Sequence, residues 1–125
     1  MASEAQHQAA VIKWSQQPGI RLQWPELALL YHIPNGGTRD PVEAKHLKQQ
    51  GVKPGVPDLC LPVARGRYHG LYIEMKTGSG RTSGEQKWWG EHLLAQGYFW
   101  EVCHGWESAV RVLEWYLSLP AGGAE

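Results

Sequence analysis

The residues of this 125-residue chain best suited to chemistry are Asp58, Glu74 and Lys76. Asp58 follows Gly55-Val56-Pro57, which stiffens and shapes the approach, and opens the apolar run Leu59-Cys60-Leu61. Glu74 and Lys76 lie in Gly70-Leu71-Tyr72-Ile73-Glu74-Met75-Lys76. If that run is a strand, Tyr72, Glu74 and Lys76 share one face and Leu71, Ile73 and Met75 the other. The apolar set is expected to enter the core and to present Glu74 and Lys76 together. A hairpin joining the two runs brings Asp58 level with Glu74, sixteen positions later. Two carboxylates that close repel unless a cation lies between them. An oxygen-rich site of this kind suits Mg²⁺ or Mn²⁺, which usually retain several waters. A lysine beside it can orient or help deprotonate an attacking water, and the metal would stabilise charge developing on a phosphodiester. The plainer alternative is a capped hairpin with an exposed Glu74–Lys76 pair, since aspartate commonly opens a strand after a turn.

The elements that must position these residues read as an alternation of helices and strands. Ser3-Glu4-Ala5-Gln6 has the capping-box pattern and starts a helix that should end before Pro18-Gly19. Leu27 to Ile33 reads as a strand, with a helical turn at Pro25-Glu26, closed by the turn signal Pro34-Asn35-Gly36-Gly37. Asp40-Pro41 reads as an N-cap with proline at the first helical position, and a polar, solvent-facing helix runs to about Gln50 before Gly51. Asp58 to Val63 and Gly70 to Lys76 form the hairpin, turning at Arg65-Gly66-Arg67. Ser83-Gly84-Glu85-Gln86 is a second capping box, for a helix to about Gln96. Tyr98 to Cys103 has the aromatic and β-branched character of a strand, and Trp106 to Leu119 is a final helix. The order predicts an α/β fold with a central mixed sheet flanked by helices, in one domain over 1–125 with a core over about 3–119 and a flexible tail over 120–125.

Composition supports this frame and places limits on it. With 42% hydrophobic and 19% charged residues the chain is globular rather than disordered. No apolar run approaches the ~20 residues of a membrane span, and the start Met1-Ala2-Ser3-Glu4 has no signal-peptide character. Cys60 and Cys103 are too few for a disulfide scaffold or a four-ligand zinc site, so a reduced, cytoplasmic protein is expected. The formal net charge of zero counts against a nucleic-acid partner only until it is divided along the chain. Residues 39–87 carry nine bases against five acids, whereas residues 88–125 carry one base against five acids. A local anion-binding face is therefore compatible with a neutral sum.

The runs Gly55-Val56-Pro57-Asp58-Leu59, Tyr72-Ile73-Glu74-Met75-Lys76-Thr77 and Gly80-Arg81-Thr82-Ser83, followed by Gln86, closely resemble the virus-type replication-repair nuclease (VRR-NUC) domain of the PD-(D/E)xK nuclease superfamily. Pro57-Asp58 matches the first half of the superfamily pattern and Glu74-Met75-Lys76 the second, and the likeness spans roughly Ser3 to Leu117. The resemblance implies a restriction-endonuclease-like core. Asp58 and Glu74 would be metal-binding carboxylates with the Met75 backbone carbonyl as a further ligand, and Lys76 would position the nucleophilic water. Glu4 would join the metal shell directly or through water, and Gln86 would orient Lys76 or contact a phosphate. It further implies a structure-specific DNA endonuclease of the standalone phage or bacterial type, acting at branched DNA such as Holliday junctions in phage or mobile-element replication and repair, in the bacterial or phage-infected host cell. Standalone members of the family are thought to form homodimers.

Other signals are weaker. Lys53, Arg81 and Lys87 lie near the site in sequence and are candidates for gripping DNA phosphates, with solvent exposure as the plain alternative. Asn35-Gly36-Gly37-Thr38-Arg39 reads as a turn that could approach a nucleic-acid backbone, His104 reads as structural, and His7, one turn beyond Glu4 on the same helical side, is a disfavoured candidate ligand. The seven tryptophans invite a base-stacking reading, although aromatics at helical spacing are usually core. The final helix has two apolar stripes, Trp106-Val110-Leu113-Leu117 and Val112-Tyr116-Leu119, more than one small sheet is expected to cover. That surplus points to a homodimer through the C-terminal helix or a sheet edge. Rival readings are a monomeric flap nuclease or nickase, and a catalytically silent DNA-binding module.

Overall fold

The computed structural model describes residues 2–34 and 39–122. The capping box of Ser3 and Gln6 forms as the sequence dictates and opens helix α1, Glu4–Ser15. The helix ends before Pro18-Gly19 as expected, and Pro18 then begins a second short helix, α2, Pro18–Gln23, which was not expected. Proline serves at a helix's first position because no intrahelical partner is lost there. The apolar run expected to be a strand from Leu27 to Ile33 divides: its first three residues end a 3₁₀ helix, Pro25–Leu29, and only two form a strand, β1, Tyr31–His32. The helical turn expected at Pro25-Glu26 thus extends through Leu29 and buries Leu27 in the core, which shortens the strand. Residues 35–38, and with them most of the proposed turn against nucleic acid, lie outside the described residues.

Asp40 caps α3, Pro41–Gln49, by accepting from the Val42 N–H at 3.0 Å. Strand β2, Leu59–Leu61, pairs antiparallel with β3, Leu71–Lys76, through the Arg65–Tyr68 turn. Helix α4, Gly84–Ala95, opens on the second capping box. Strand β4, Phe99–His104, lies parallel to β3, and α5, Trp106–Leu117, follows at once. The sheet order is β1-β2-β3-β4, antiparallel at its first two pairings and parallel at the third, so the sheet is mixed. Among the described residues no helix is long and apolar enough to cross a membrane.

The two faces of the sheet are covered differently. Leu59, Leu61, Leu71, Ile73, Met75 and Cys103 join Val11 of α1 and Leu113, Tyr116 and Leu117 of α5 in one core. On the other face α4 approaches so closely that a Cβ at Gly90 would lie 2.3 Å from the Trp100 ring. Both stripes of α5 are largely covered within the chain: Leu113, Tyr116 and Leu117 are buried, Val112, Leu119 and Trp106 pack against the core, and the Tyr116 hydroxyl donates to the Val63 carbonyl at 2.6 Å. The surplus apolar surface expected of this helix is mainly Trp115, 45% exposed. The stretch expected to be a flexible tail is held through Gly122. Gly66 N–H donates to Pro120 O at 2.7 Å and Gly122 N–H to Ala64 O at 3.0 Å, because the Arg65 turn offers backbone groups that the sheet does not use.

Candidate active site

The site lies where β2 begins and β3 ends. In the ladder Leu59 faces Ile73, which places Asp58 one step on, beside Glu74. Asp58 is fixed from two sides. Its Oδ2 accepts from the Met75 N–H at 2.7 Å, and its backbone carbonyl accepts from the Ile33 N–H and from His32 Nδ1, both at 2.8 Å. The approach to Asp58 is set by Gly55, whose φ of +86° suits glycine. A Cβ there would lie 2.6 Å from the Glu85 carbonyl carbon, so the loop rests directly on the first turn of α4.

Glu74 and Lys76 are not presented on an open face as expected; they are 1% and 8% exposed. The alternation of β3 is correct, but α4 and the loop before it close the polar side. Glu74 Oε2 accepts from Gln86 Nε2 at 3.0 Å and lies 3.8 Å from Lys76 Nζ. Glu74 Oε1 is buried and has no hydrogen-bond partner. Burial, then the negative charge of Asp58 and the hydrogen bond that only a protonated Glu74 can donate to it, push the Glu74 carboxyl up to about 8; Lys76 opposes this and Glu4 adds to it. The exposed surface pair is thus replaced by a buried one, which a structural hairpin would not need.

Gln86 serves twice. Its Oε1 accepts from the Ser83 N–H to complete the capping box, and its Nε2 donates to Glu74. Glu4 stands exposed on the first turn of α1, close enough for its charge to be felt at Glu74. Lys53, Arg81 and Lys87 are all exposed, but on different walls. Lys53 lines a groove of about 650 Å³ with Lys48, Ser83 and Gln86. Arg81 and Lys87 line another of about 470 Å³ with Ser79, Thr82 and His104. The residues the sequence did not single out are supports. His32 holds Asp58, and Trp89 Nε1 donates to Pro54 O at 3.1 Å, pinning the loop that leads to Asp58. His7 is no ligand here: its Nδ1 accepts from the Trp106 N–H at 3.0 Å and caps α5, whose N-cap Gly105 has no side chain to do so. His104 Nε2 pairs with Gly80 O at 2.9 Å, the structural role expected of it.

The donor set fits a hard divalent cation. It consists of carboxylate oxygens, one of them buried without a partner, and a cation between two adjacent carboxylates relieves the repulsion that would arise when both ionise. Among the described residues no three His, Cys, Asp or Glu side chains converge on one point. A metal held here would take its side-chain donors from Asp58 and Glu74, with the Met75 carbonyl and water completing the shell, as suits Mg²⁺.

The VRR-NUC domain family matches residues 2–107, most of the chain. A solved structure of a VRR_NUC domain protein superposes with a TM-score of 0.81 at 34% sequence identity, covering 98% of this chain and 93% of that one. No curated protein matched significantly. The family match ends at the start of α5, whereas the structural likeness continues through it, so the helix that closes the core is shared in shape beyond the matched motif. Motif, sheet and the adjacent carboxylates of Asp58 and Glu74 agree with these likenesses: the chain belongs to the VRR-NUC family, of restriction-endonuclease-like fold, and is a nuclease of the PD-(D/E)xK type.

Proposed function

We propose that this nuclease is a Mg²⁺- or Mn²⁺-dependent endodeoxyribonuclease acting on branched DNA such as four-way junctions, in phage or mobile-element replication and repair within the cytoplasm of a bacterial host. The observation that carries the metal-dependent reading is Glu74: one carboxylate oxygen is held by Gln86 and Lys76, and the other is buried without a partner beside Asp58. Asp58 and Glu74, with the Met75 carbonyl, would hold the ion, which when bound would neutralise their charge and supply stabilisation of charge developing on the scissile phosphate. Lys76 Nζ orients the attacking water. Gln86 keeps the Glu74 carboxylate turned toward the site, and Glu4 reaches it through water. Lys53, Arg81 and Lys87 hold flanking phosphates on either side of α4.

The test is a panel of junctions, flaps, duplexes and single strands, incubated with Mg²⁺, Mn²⁺ or a chelator. Cleavage with metal, lost on chelation, is expected. Asp58→Ala and Lys76→Ala are each expected to slow it by about 10²-fold or more while the protein stays folded. Full activity in purified Asp58→Ala would overturn the mechanism. For the assembly, a homodimer through the free edge of β4 and the neighbouring face of α5 is supported by the exposed Trp115 and by a groove of about 330 Å³ that it shares with Phe99, Glu101 and Arg111. The monomeric nickase has its own support in the burial of both α5 stripes within one chain. Mass in solution separates the two, together with the incision pattern: paired symmetric cuts for a dimer, one nicked strand for a monomer.

A further inference from the structure

One exposed surface has more aromatic structure than the reaction uses. Trp88 on α4 is 53% exposed, yet it is held in place. One ring face stacks on His92, with centroids 3.9 Å apart and planes 25° apart, and His92 is itself oriented by its Nδ1 pairing with the Trp88 carbonyl at 2.7 Å. Trp89 meets Trp88 at 79°, and its indole N–H is anchored on Pro54. The two indoles, Lys53, Pro54, Gly84 and Glu85 line a groove of about 510 Å³, within the range of ~300–1,000 Å³ common for ligand clefts. This groove shares Lys53, Pro54 and Glu85 with the one lined by Gln86, which in turn touches Glu74. The aromatic corner and the candidate site are therefore joined along one surface.

We propose that this groove holds an unpaired nucleobase of the DNA strand whose backbone passes the candidate site. The chemistry of the walls selects this occupant. Indole rings stack on the π-face of any base, and such stacking does not depend on sequence. Glu85 on the wall disfavours a phosphate inside the groove. Lys53 at its edge, with Lys48 beyond it, is placed for the flanking phosphates, and neither lysine enters an ion pair among the described residues. A paired base inside a duplex cannot present its face to a groove of this kind. The preference conferred is thus for strands with at least one unstacked base next to the cut, as at a flap or an open junction. The proposal rests on the nuclease reading, which it deepens by naming the feature of the substrate recognised.

The test is binding rather than cleavage, so that the two readings can fail separately. Metal-free protein is titrated by anisotropy with a labelled oligothymidylate and with a blunt duplex of the same length. Trp88→Ala is expected to weaken single-strand binding roughly 5- to 100-fold with a much smaller effect on the duplex, and Trp88→Phe to keep most of the affinity. Circular dichroism of the variants monitors the fold, which an exposed side chain should not control. Unchanged single-strand binding in Trp88→Ala, or equal loss on both DNAs, overturns the proposal. So does a change in solution mass on Trp88→Ala, which would make the corner an interface with a second copy. If Trp88-dependent binding holds while Asp58→Ala still cuts, the proposed mechanism fails and the base groove stands. If Asp58→Ala is inactive and Trp88→Ala binds normally, the reverse is true.

Discussion

Glu74 holds a proton more tightly in the fold than in the unfolded chain, its pKa rising from the ordinary 4.5 to about 8. Between those values the folded, metal-free protein binds more protons than the unfolded one, so this group's contribution to stability is complete below about 4.5 and is lost as pH rises through about 8. Thermal melts in chelator should show a melting temperature falling across that window, and Glu74→Gln should flatten the fall. A divalent cation competes with the same proton. Added Mg²⁺ or Mn²⁺ is therefore expected to raise the melting temperature more at the alkaline end than at the acid end, and metal affinity is expected to weaken as pH is lowered. Asp58 offers a second contrast. Asp58→Ala removes the acceptor of the Met75 N–H and should cost about 1–3 kcal/mol of stability, whereas Asp58→Asn keeps an acceptor and should melt closer to wild type. Both are expected to lose activity. The positions of Asp58, Glu74 and Lys76 were legible in the sequence because strand alternation and the hairpin alone set them level. The burial of Glu74 and Lys76 was not, because it depends on how α4 packs across the polar face. Nor was the grip of His32 on Asp58, which joins residues from separate elements.

At the level of elements, local signals were legible where the chain satisfies its own backbone. Both capping boxes and the Asp40 cap are contacts within four residues, and each formed. The run from Leu27 to Ile33 was misread because its apolar residues fit either period, and a 3₁₀ turn buries Leu27 where a longer strand would extend an edge. The closeness of α4 to the sheet depends on Gly90. Gly90→Ala would place a methyl group 2.3 Å from the Trp100 ring and should destabilise by about 1–3 kcal/mol as the helix shifts outward. Gln86 rides on the same helix, so cleavage should fall by more than the loss of folded protein accounts for. Chemical denaturation run beside the nuclease assay checks this. His7→Ala removes the cap of α5 and is expected to cost about 0.5–2 kcal/mol, measured the same way.

For the whole molecule, a neutral sum conceals a division of labour. Of the bases in residues 39–87, Lys48, Lys53, Arg81 and Lys87 line the grooves beside the candidate site, and the acidic excess of residues 88–125 lies mostly on α4, β4 and α5. This was legible by counting. The fate of α5 was not, because a stripe pattern does not say how much of its surface the chain's own sheet and turns will cover. If the exposed Trp115 seats a second copy, Trp115→Glu should turn a dimer into a monomer in light scattering without lowering the melting temperature of the protomer by more than a few degrees. An unchanged dimer would move the interface elsewhere. The bond between His7 and Trp106 spans 99 positions, and it ties the helix that carries Glu4 to the helix that closes the core behind β3. Asp58, Glu74, Lys76 and Gln86 are all synthesised well before Trp106 and the core of α5. On the ribosome, the strand that bears Glu74 and Lys76 therefore waits without its backing until α5 emerges. Hydrolytic competence should arise as a late, single event in synthesis, so that a half-made chain next to nucleic acid is harmless.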